Sequence, residues 1–201
     1  MGDCGKCVVL LAAFILGMWY GPASNEDSVP VQTLASAEAR EGFTTVYASA
    51  VNSTDGYEYR ELAGDGSDIL LCNNDSAVDP TYAQLMQFLQ ADATDQIPYR
   101  HGTYVCADYA KDVHDHAELA GMKAGWVGVD FADVSRHACN VFHTVDRGTV
   151  YIDCTGQQNP HMNYDCFVNL VQGAEYTPVY LFEDNFESSA MGRVNNYIIY
   201  W

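Results

Sequence analysis

A chain of 201 residues, 48% hydrophobic and 18% charged, is long enough to bury one proper core and too apolar for a disordered chain. Acidic residues outnumber basic ones 27 to 9, so at neutral pH the surface repels phosphate backbones and anionic headgroups, which excludes nucleic acid as a partner. The charge indicates a hydrated surface suited to a salty or extracellular setting.

Residues 8–20 form the one strongly apolar run, with Lys6 before it and Gly21, Pro22, Ala23 and Ser24 after it. The run is short for a membrane span and has the form of a signal-peptide core, an uncleaved anchor being the alternative. Residues 1–30 are therefore expected to be a signal peptide or N-terminal membrane anchor plus linker. They leave residues 31–201 as a single domain that is extracellular, or membrane-anchored and facing outside, and that meets the membrane through the N-terminal segment alone. Cys4 and Cys7 have metal-knuckle spacing but fall in the targeting segment, with no second pair nearby. If those two leave with it and Cys106 stays free, Cys72, Cys139, Cys154 and Cys166 remain, enough for two disulfides in three connectivities.

Short strands and turns are expected over residues 31–75, notably at 43–47 and 69–72. Asn52-Ser53-Thr54 and Asn74-Asp75-Ser76 are glycosylation sequons. Asp79-Pro80-Thr81 starts a helix that carries Tyr82, Leu85, Met86, Phe88 and Leu89 at helical spacing to about Ala91. A second helix opens at Cys106. Cys106, Tyr109, Ala110, Val113, Ala117 and Ala120 share one face, and Gly121 stands where a terminating glycine belongs.

Beyond it the pattern is β, at residues 124–131, 136–145 and 149–153, with an Asp146-Arg147-Gly148 turn joining the last two. Further strands are expected at 167–171, 176–182 and 194–200. Helices followed by a run of antiparallel strands indicate an α+β domain.

A cysteine at a helix N-terminus meets the positive end of the macrodipole and free N–H groups, which favour the thiolate and can hold an oxyanion. His137 begins one strand of the hairpin and Asp153 ends the other, so antiparallel pairing makes them neighbours on one face. Cys106 as nucleophile, His137 as base and Asp153 as orienter complete the arrangement used in covalent acyl transfer. His143 has the same strand parity as His137 but lies near the turn, away from Asp153. Parity also puts Cys139 on the site face and Cys154 on the other, so a Cys139–Cys154 disulfide is not expected. His114 and His116, two apart on a helix, point about 200° apart and are expected to be solvated rather than to chelate one ion. With no Gly-rich phosphate loop, H-E-x-x-H or dinucleotide fingerprint, no cofactor and no metal are expected.

The block Tyr104-Val105-Cys106-Ala107-Asp108-Tyr109-Ala110, with Ala117-Glu118-Leu119-Ala120-Gly121-Met122-Lys123-Ala124-Gly125-Trp126-Val127 after it, resembles the nucleophile helix and following strand of transglutaminase-like proteins. His137-Ala138 and Val150-Tyr151-Ile152-Asp153-Cys154-Thr155 resemble that family's second and third motifs, so the likeness spans about residues 79–156 in the family's order. Cys154 stands where relatives often carry proline. The resemblance implies a papain/transglutaminase-like α+β fold, its nucleophile helix packed on an antiparallel sheet. It further implies a Cys-His-Asp triad acting on amide or peptide bonds of a protein or peptide substrate. Since the family includes members that have lost their chemistry, the alternative is a non-catalytic binding or envelope module on the same fold.

Overall fold

A computed structural model of the chain describes residues 41–51, 58–156, 163–182 and 188–201. The apolar run 8–20, the Cys4–Cys7 pair and the Asn52 sequon lie outside the described residues. Among the described residues no helix is long and apolar enough to cross a membrane.

In chain order the elements are β1 (Phe43–Tyr47), β2 (Ser49–Val51), β3 (Glu58–Arg60), β4 (Leu70–Asn74), α1 (Tyr82–Ala91), α2 (Cys106–Leu119), β5 (Gly125–Phe131), β6 (Arg136–Thr144), β7 (Gly148–Asp153), β8 (Cys166–Val168), β9 (Glu175–Tyr176), β10 (Pro178–Tyr180) and β11 (Gly192–Tyr200). A single 3₁₀ turn, Thr94–Gln96, follows α1. Two helices and antiparallel sheets make the domain α+β, as the sequence pattern indicates. β1 pairs with β4, β2 with β3, and the remaining seven strands form one sheet in the order β10-β8-β7-β6-β5-β11-β9.

That order departs from the single strand expected over 176–182. The segment makes two short strands instead, at opposite edges of the sheet and separated by Thr177 alone. One residue cannot bridge a flat seven-stranded sheet, whose strands stand about 4.8 Å apart. The sheet is therefore rolled until its edges meet.

Rolling gives the strands an inner and an outer face. Val127, Val129, Phe131, Cys139, Val141, Val168, Tyr176 and Val194 pack on the inside. The alternate residues Trp126, Ala138 and Tyr200 pack outward with α2 and β4. Phe142, Val150, Ile152 and Cys154 pack outward with Leu85, Leu89, Val113 and Ala117 of the two helices.

Each helix is anchored by identifiable polar groups. Thr81 and Gln84 form a reciprocal capping box on α1. The turn of the β6–β7 hairpin reinforces it, since the Tyr82 N–H donates to Asp146 Oδ1 (2.7 Å) and the Val145 N–H donates to the Pro80 carbonyl (3.0 Å). α2 ends in a Schellman motif: Gly121 (φ +79°) donates to the Glu118 carbonyl and Met122 to the Ala117 carbonyl. Down one side of α2, three carboxylates receive backbone N–H groups from the preceding β segments. Asp108 accepts from Gly64 (2.8 Å), Asp115 from Cys72 (2.9 Å) and Glu118 from Asn74 (2.9 Å). The other oxygen of Glu118 accepts the Ala124 N–H (2.8 Å), just before β5.

Two expectations fail here. His114 is not solvated: it is fully buried, with Nδ1 2.9 Å from Asp115 Oδ1. His116, on another side of the helix, is only half-buried and lies 2.5 Å from Asp92 in the segment after α1, so it keeps part of its expected exposure while pairing with a carboxylate. Nor do the four remaining cysteines form two disulfides. Cys139, Cys154 and Cys166 are free and buried, Cys139 inside the barrel and Cys154 outside it, while Cys72 is disulfide-bonded. The expected absence of a Cys139–Cys154 bond therefore holds, with the expected parity. At the second sequon, the Asn74 amide donates to the Glu118 carbonyl (3.0 Å) and accepts from Ser76 (2.9 Å), so its nitrogen is committed to the fold.

Glu118→Ala leaves two backbone donors without an acceptor, each worth about 1–3 kcal/mol. The variant should lose about 2–4 kcal/mol in urea unfolding, and Glu118→Gln, which keeps one acceptor oxygen, should lose about half as much. Equal midpoints for wild type and Glu118→Ala would show that these bonds do not dock α2.

Candidate active site

Cys106 is the first residue of α2, and its position is set from the sheet side by two buried donors. Trp126 Nε1 on β5 donates to the Ala107 carbonyl (3.1 Å), and Asn140 Nδ2 on β6 donates to the Ala110 carbonyl (2.7 Å). Asp108, two residues into the helix, accepts the Val105 N–H (2.9 Å) along with that of Gly64, closing the helix start. Gly64 has no room for a side chain, because a Cβ there would stand 2.8 Å from the Tyr104 nitrogen. The chain ahead of Cys106 is thus clamped between the Gly64 loop and the sheet.

On the sheet, Asn140 pairs with Ile152 and Phe142 with Val150. Continued by one residue, this register sets Cys139 opposite Asp153 and makes His137 the diagonal neighbour on the same inner face. His137 Nε2 and Asp153 Oδ2 are 2.7 Å apart. Both residues are buried, at 6% and 4% exposure.

With Nε2 committed to the carboxylate, Nδ1 is the nitrogen left to face α2, and Cys106 is close enough to the ring to help raise its pKa. Cys106, His137 and Asp153 are therefore brought together as the sequence predicts. His143 is not among them. It is exposed on the hairpin, bonded to Thr149 Oγ1 (3.0 Å) and stacked on Trp201.

Burial alone would lower the His137 pKa and raise that of Asp153, but their mutual attraction reverses both: the imidazole is pushed well above its usual value and the carboxyl held well below. The Thr155 N–H gives Asp153 Oδ1 a further donor (3.0 Å). Phe131 stacks beside the His137 ring with centroids 6.4 Å apart, and Tyr176 meets it edge-on at 5.3 Å. Tyr176 also donates its hydroxyl proton to Asp153 Oδ2 (2.9 Å).

Trp126 falls within the family-like motif, whereas Asn140 and Tyr176 carry no sequence signal. Tyr176 sits on a two-residue strand whose place depends on closure of the sheet.

Among the free cysteines only Cys106 is partly exposed. Burial pushes the thiols of Cys139, Cys154 and Cys166 upward, so they are poor nucleophiles. The arrangement can therefore deprotonate one accessible thiol and hold the resulting imidazolium beside a fixed carboxylate. A concavity of about 630 Å³ lies elsewhere, lined by Gln84, Gln87 and Phe88 of α1 and by Ala120, Gly121 and Met122. It is at the far end of α2, about 20 Å from Cys106 at 1.5 Å per residue. Among the described residues no cluster of His, Cys, Asp and Glu could hold a metal ion.

Comparison with known protein families, curated proteins and solved structures finds no match.

The paired shifts fix a pH window. The contribution of His137 is full below its ordinary value of about 6.5 and is lost as pH rises toward the folded one, while that of Asp153 is full above about pH 4 and is lost only in stronger acid. Asp153→Asn should therefore be least stable relative to wild type between about pH 4 and 6.5, by about 3–5 kcal/mol. The gap should narrow progressively as pH rises from about 6.5 toward about 10, where His137 loses its proton. Thermal unfolding across pH measures it, and a gap independent of pH would mean that the pair is not ionised.

Proposed function

We propose that the chain is a transglutaminase-like cysteine enzyme of papain-like architecture. It acts on amide or peptide bonds of a protein or peptide through a thioester, by hydrolysis or acyl transfer. The observation that carries this reading is the contact sequence Cys106, His137, Asp153, with the only accessible free thiol among the described residues at a helix N-terminus and the base already oriented from behind. The order and spacing of the family-like motifs add to it.

In this mechanism His137 already holds the proton taken from the thiol, as an imidazolium beside Asp153, and the Cys106 sulfur adds to the carbonyl carbon. The negative oxygen is met by the unpaired N–H groups of the first turn of α2, those of Cys106 and Ala107. As the C–N bond breaks, His137 returns the proton to the leaving amine, and Asp153 holds the imidazolium throughout. Water or a second amine then attacks the thioester, its proton passing to His137, and the sulfur leaves. No step calls on a cofactor. An extracellular or outward-facing anchored setting is proposed from the apolar run at residues 8–20.

The binding-module reading draws on the concavity at the far end of α2, which is remote from Cys106. Iodoacetamide labelling followed by peptide mass spectrometry separates the two and needs no substrate. Cys106 should label first, and His137→Ala should slow it by about 10²-fold, a typical contribution of a positioned base. Asp153→Asn should keep part of the rate, and His143→Ala should change it less than about twofold, as for a surface group outside the site. If Cys106 labels equally fast in wild type and in folded His137→Ala, the binding module is preferred.

A further inference from the structure

We propose that Tyr176 is a positioning residue of this site, its hydroxyl holding the Asp153 carboxylate in the orientation that aims His137 at Cys106. The inference rests on the functional reading above and extends it from three side chains to four.

The Tyr176 hydroxyl has one proton, and its surroundings dictate where that proton goes. Its oxygen is 2.9 Å from Asp153 Oδ2. The carboxylate is ionised and can only accept, so the phenol donates to it. Burial and the adjacent carboxylate raise the pKa of the phenol well above its usual value, so its proton stays in place. The chain therefore has one direction: Tyr176 O–H to Asp153, and Asp153 to the ring of His137, whose other nitrogen faces Cys106.

The geometry distinguishes this hydroxyl from a buried polar group that merely found a partner. Tyr176 and His137 converge on the same oxygen, Oδ2, while Oδ1 is held by the Thr155 N–H. Without the phenol, His137 and one backbone bond alone would resist rotation of the carboxylate about its Cβ–Cγ bond. The Tyr176 ring also stands edge-on to the imidazole and to Phe131, so that one side chain contacts both members of the base pair. Tyr176 is fully buried on β9, which is joined to the sheet only through Gly192 and Arg193 of β11. The orienting group therefore reaches the site by closure of the barrel, from a strand outside the β6–β7 hairpin that carries its partners.

The test is Tyr176→Phe, which keeps the ring and removes only the hydroxyl, in ¹⁵N-histidine-labelled full chain. In wild type the His137 Nε2–H proton should resonate far downfield and exchange slowly, as expected of a short bond to a carboxylate. In Tyr176→Phe that resonance should broaden and exchange faster, and Cys106 alkylation should slow by about tenfold, the usual size of a lost supporting contact. Tyr164→Phe, at another buried tyrosine, should alter neither. As a second variant, 3-fluorotyrosine at position 176 keeps the ring and strengthens the donor. It should move the resonance upfield as Oδ2 becomes a weaker acceptor for the imidazole.

If the resonance is unchanged in both variants while His137→Ala still slows alkylation, the role of Tyr176 is overturned and the enzyme reading stands. If the resonance responds but no variant, His137→Ala included, affects alkylation, the enzyme reading fails and only the hold of Tyr176 on Asp153 survives.

Discussion

Closure of the seven-stranded sheet is the constraint on which the site depends. The edges meet because β9 and β10 are separated by a single residue, and that meeting creates the inner face on which His137, Cys139 and Asp153 stand. An open sheet would offer the same hairpin to water. An exposed imidazole–carboxylate pair contributes little and holds no fixed geometry. Inside the barrel the pair is held by its surroundings, with Phe131 and Tyr176 against the ring and Thr155 and Tyr176 on the carboxylate.

Burying both charges carries a desolvation penalty of several kcal/mol per ion, which attraction alone need not offset. The donors gathered on Asp153 compensate by using both of its oxygens. His137 has its partner at Nε2, and its Nδ1 is turned toward Cys106. Neither residue of the pair has a buried polar atom without a partner, the condition under which a buried network favours one arrangement over others. Placing the third member falls to α2, whose first turn Trp126 and Asn140 fasten to the outside of the same two strands that carry or flank His137. β5 and β6 therefore fix the nucleophile with one face and the base with the other.

The elements near this chemistry were legible because local signals agreed. The helical stripe from Cys106, the glycine at 121 and the Asp146–Gly148 turn each specify a boundary, and the observed α2, β6 and β7 fall within a residue or so of them. The His137–Asp153 pairing followed from hairpin parity, since a turn of known length sets the register. What the sequence did not disclose depends on contacts between distant segments. The segment 176–182 is apolar and β-prone, and nothing within it indicates that Thr177 separates two edges. The burial of His114 escaped for a similar reason. Helical spacing relates His114 only to residues of its own helix, whereas the element that covers it, β4, precedes both helices in the chain.

The acidic composition is the last point on which local reading and folded structure part. A surplus of carboxylates suggests a solvated surface, yet several of them serve as acceptors for backbone N–H groups that lack a ladder partner. Asp108, Asp115 and Glu118 do this for Gly64, Cys72 and Asn74, Asp146 for Tyr82, and Asp95 for Tyr164. A carboxylate bonded to backbone donors is stabilised in its charged form and forms stronger bonds than a neutral acceptor would. Part of the net charge is therefore structural, and it joins the irregular segments to α2, whose first residue is the candidate nucleophile. The same chemistry recurs at Asp153, where the donors are an imidazole, a phenol and one backbone N–H. What separates the candidate site from the structural carboxylates is that its chain of bonds ends on a thiol that solvent can reach.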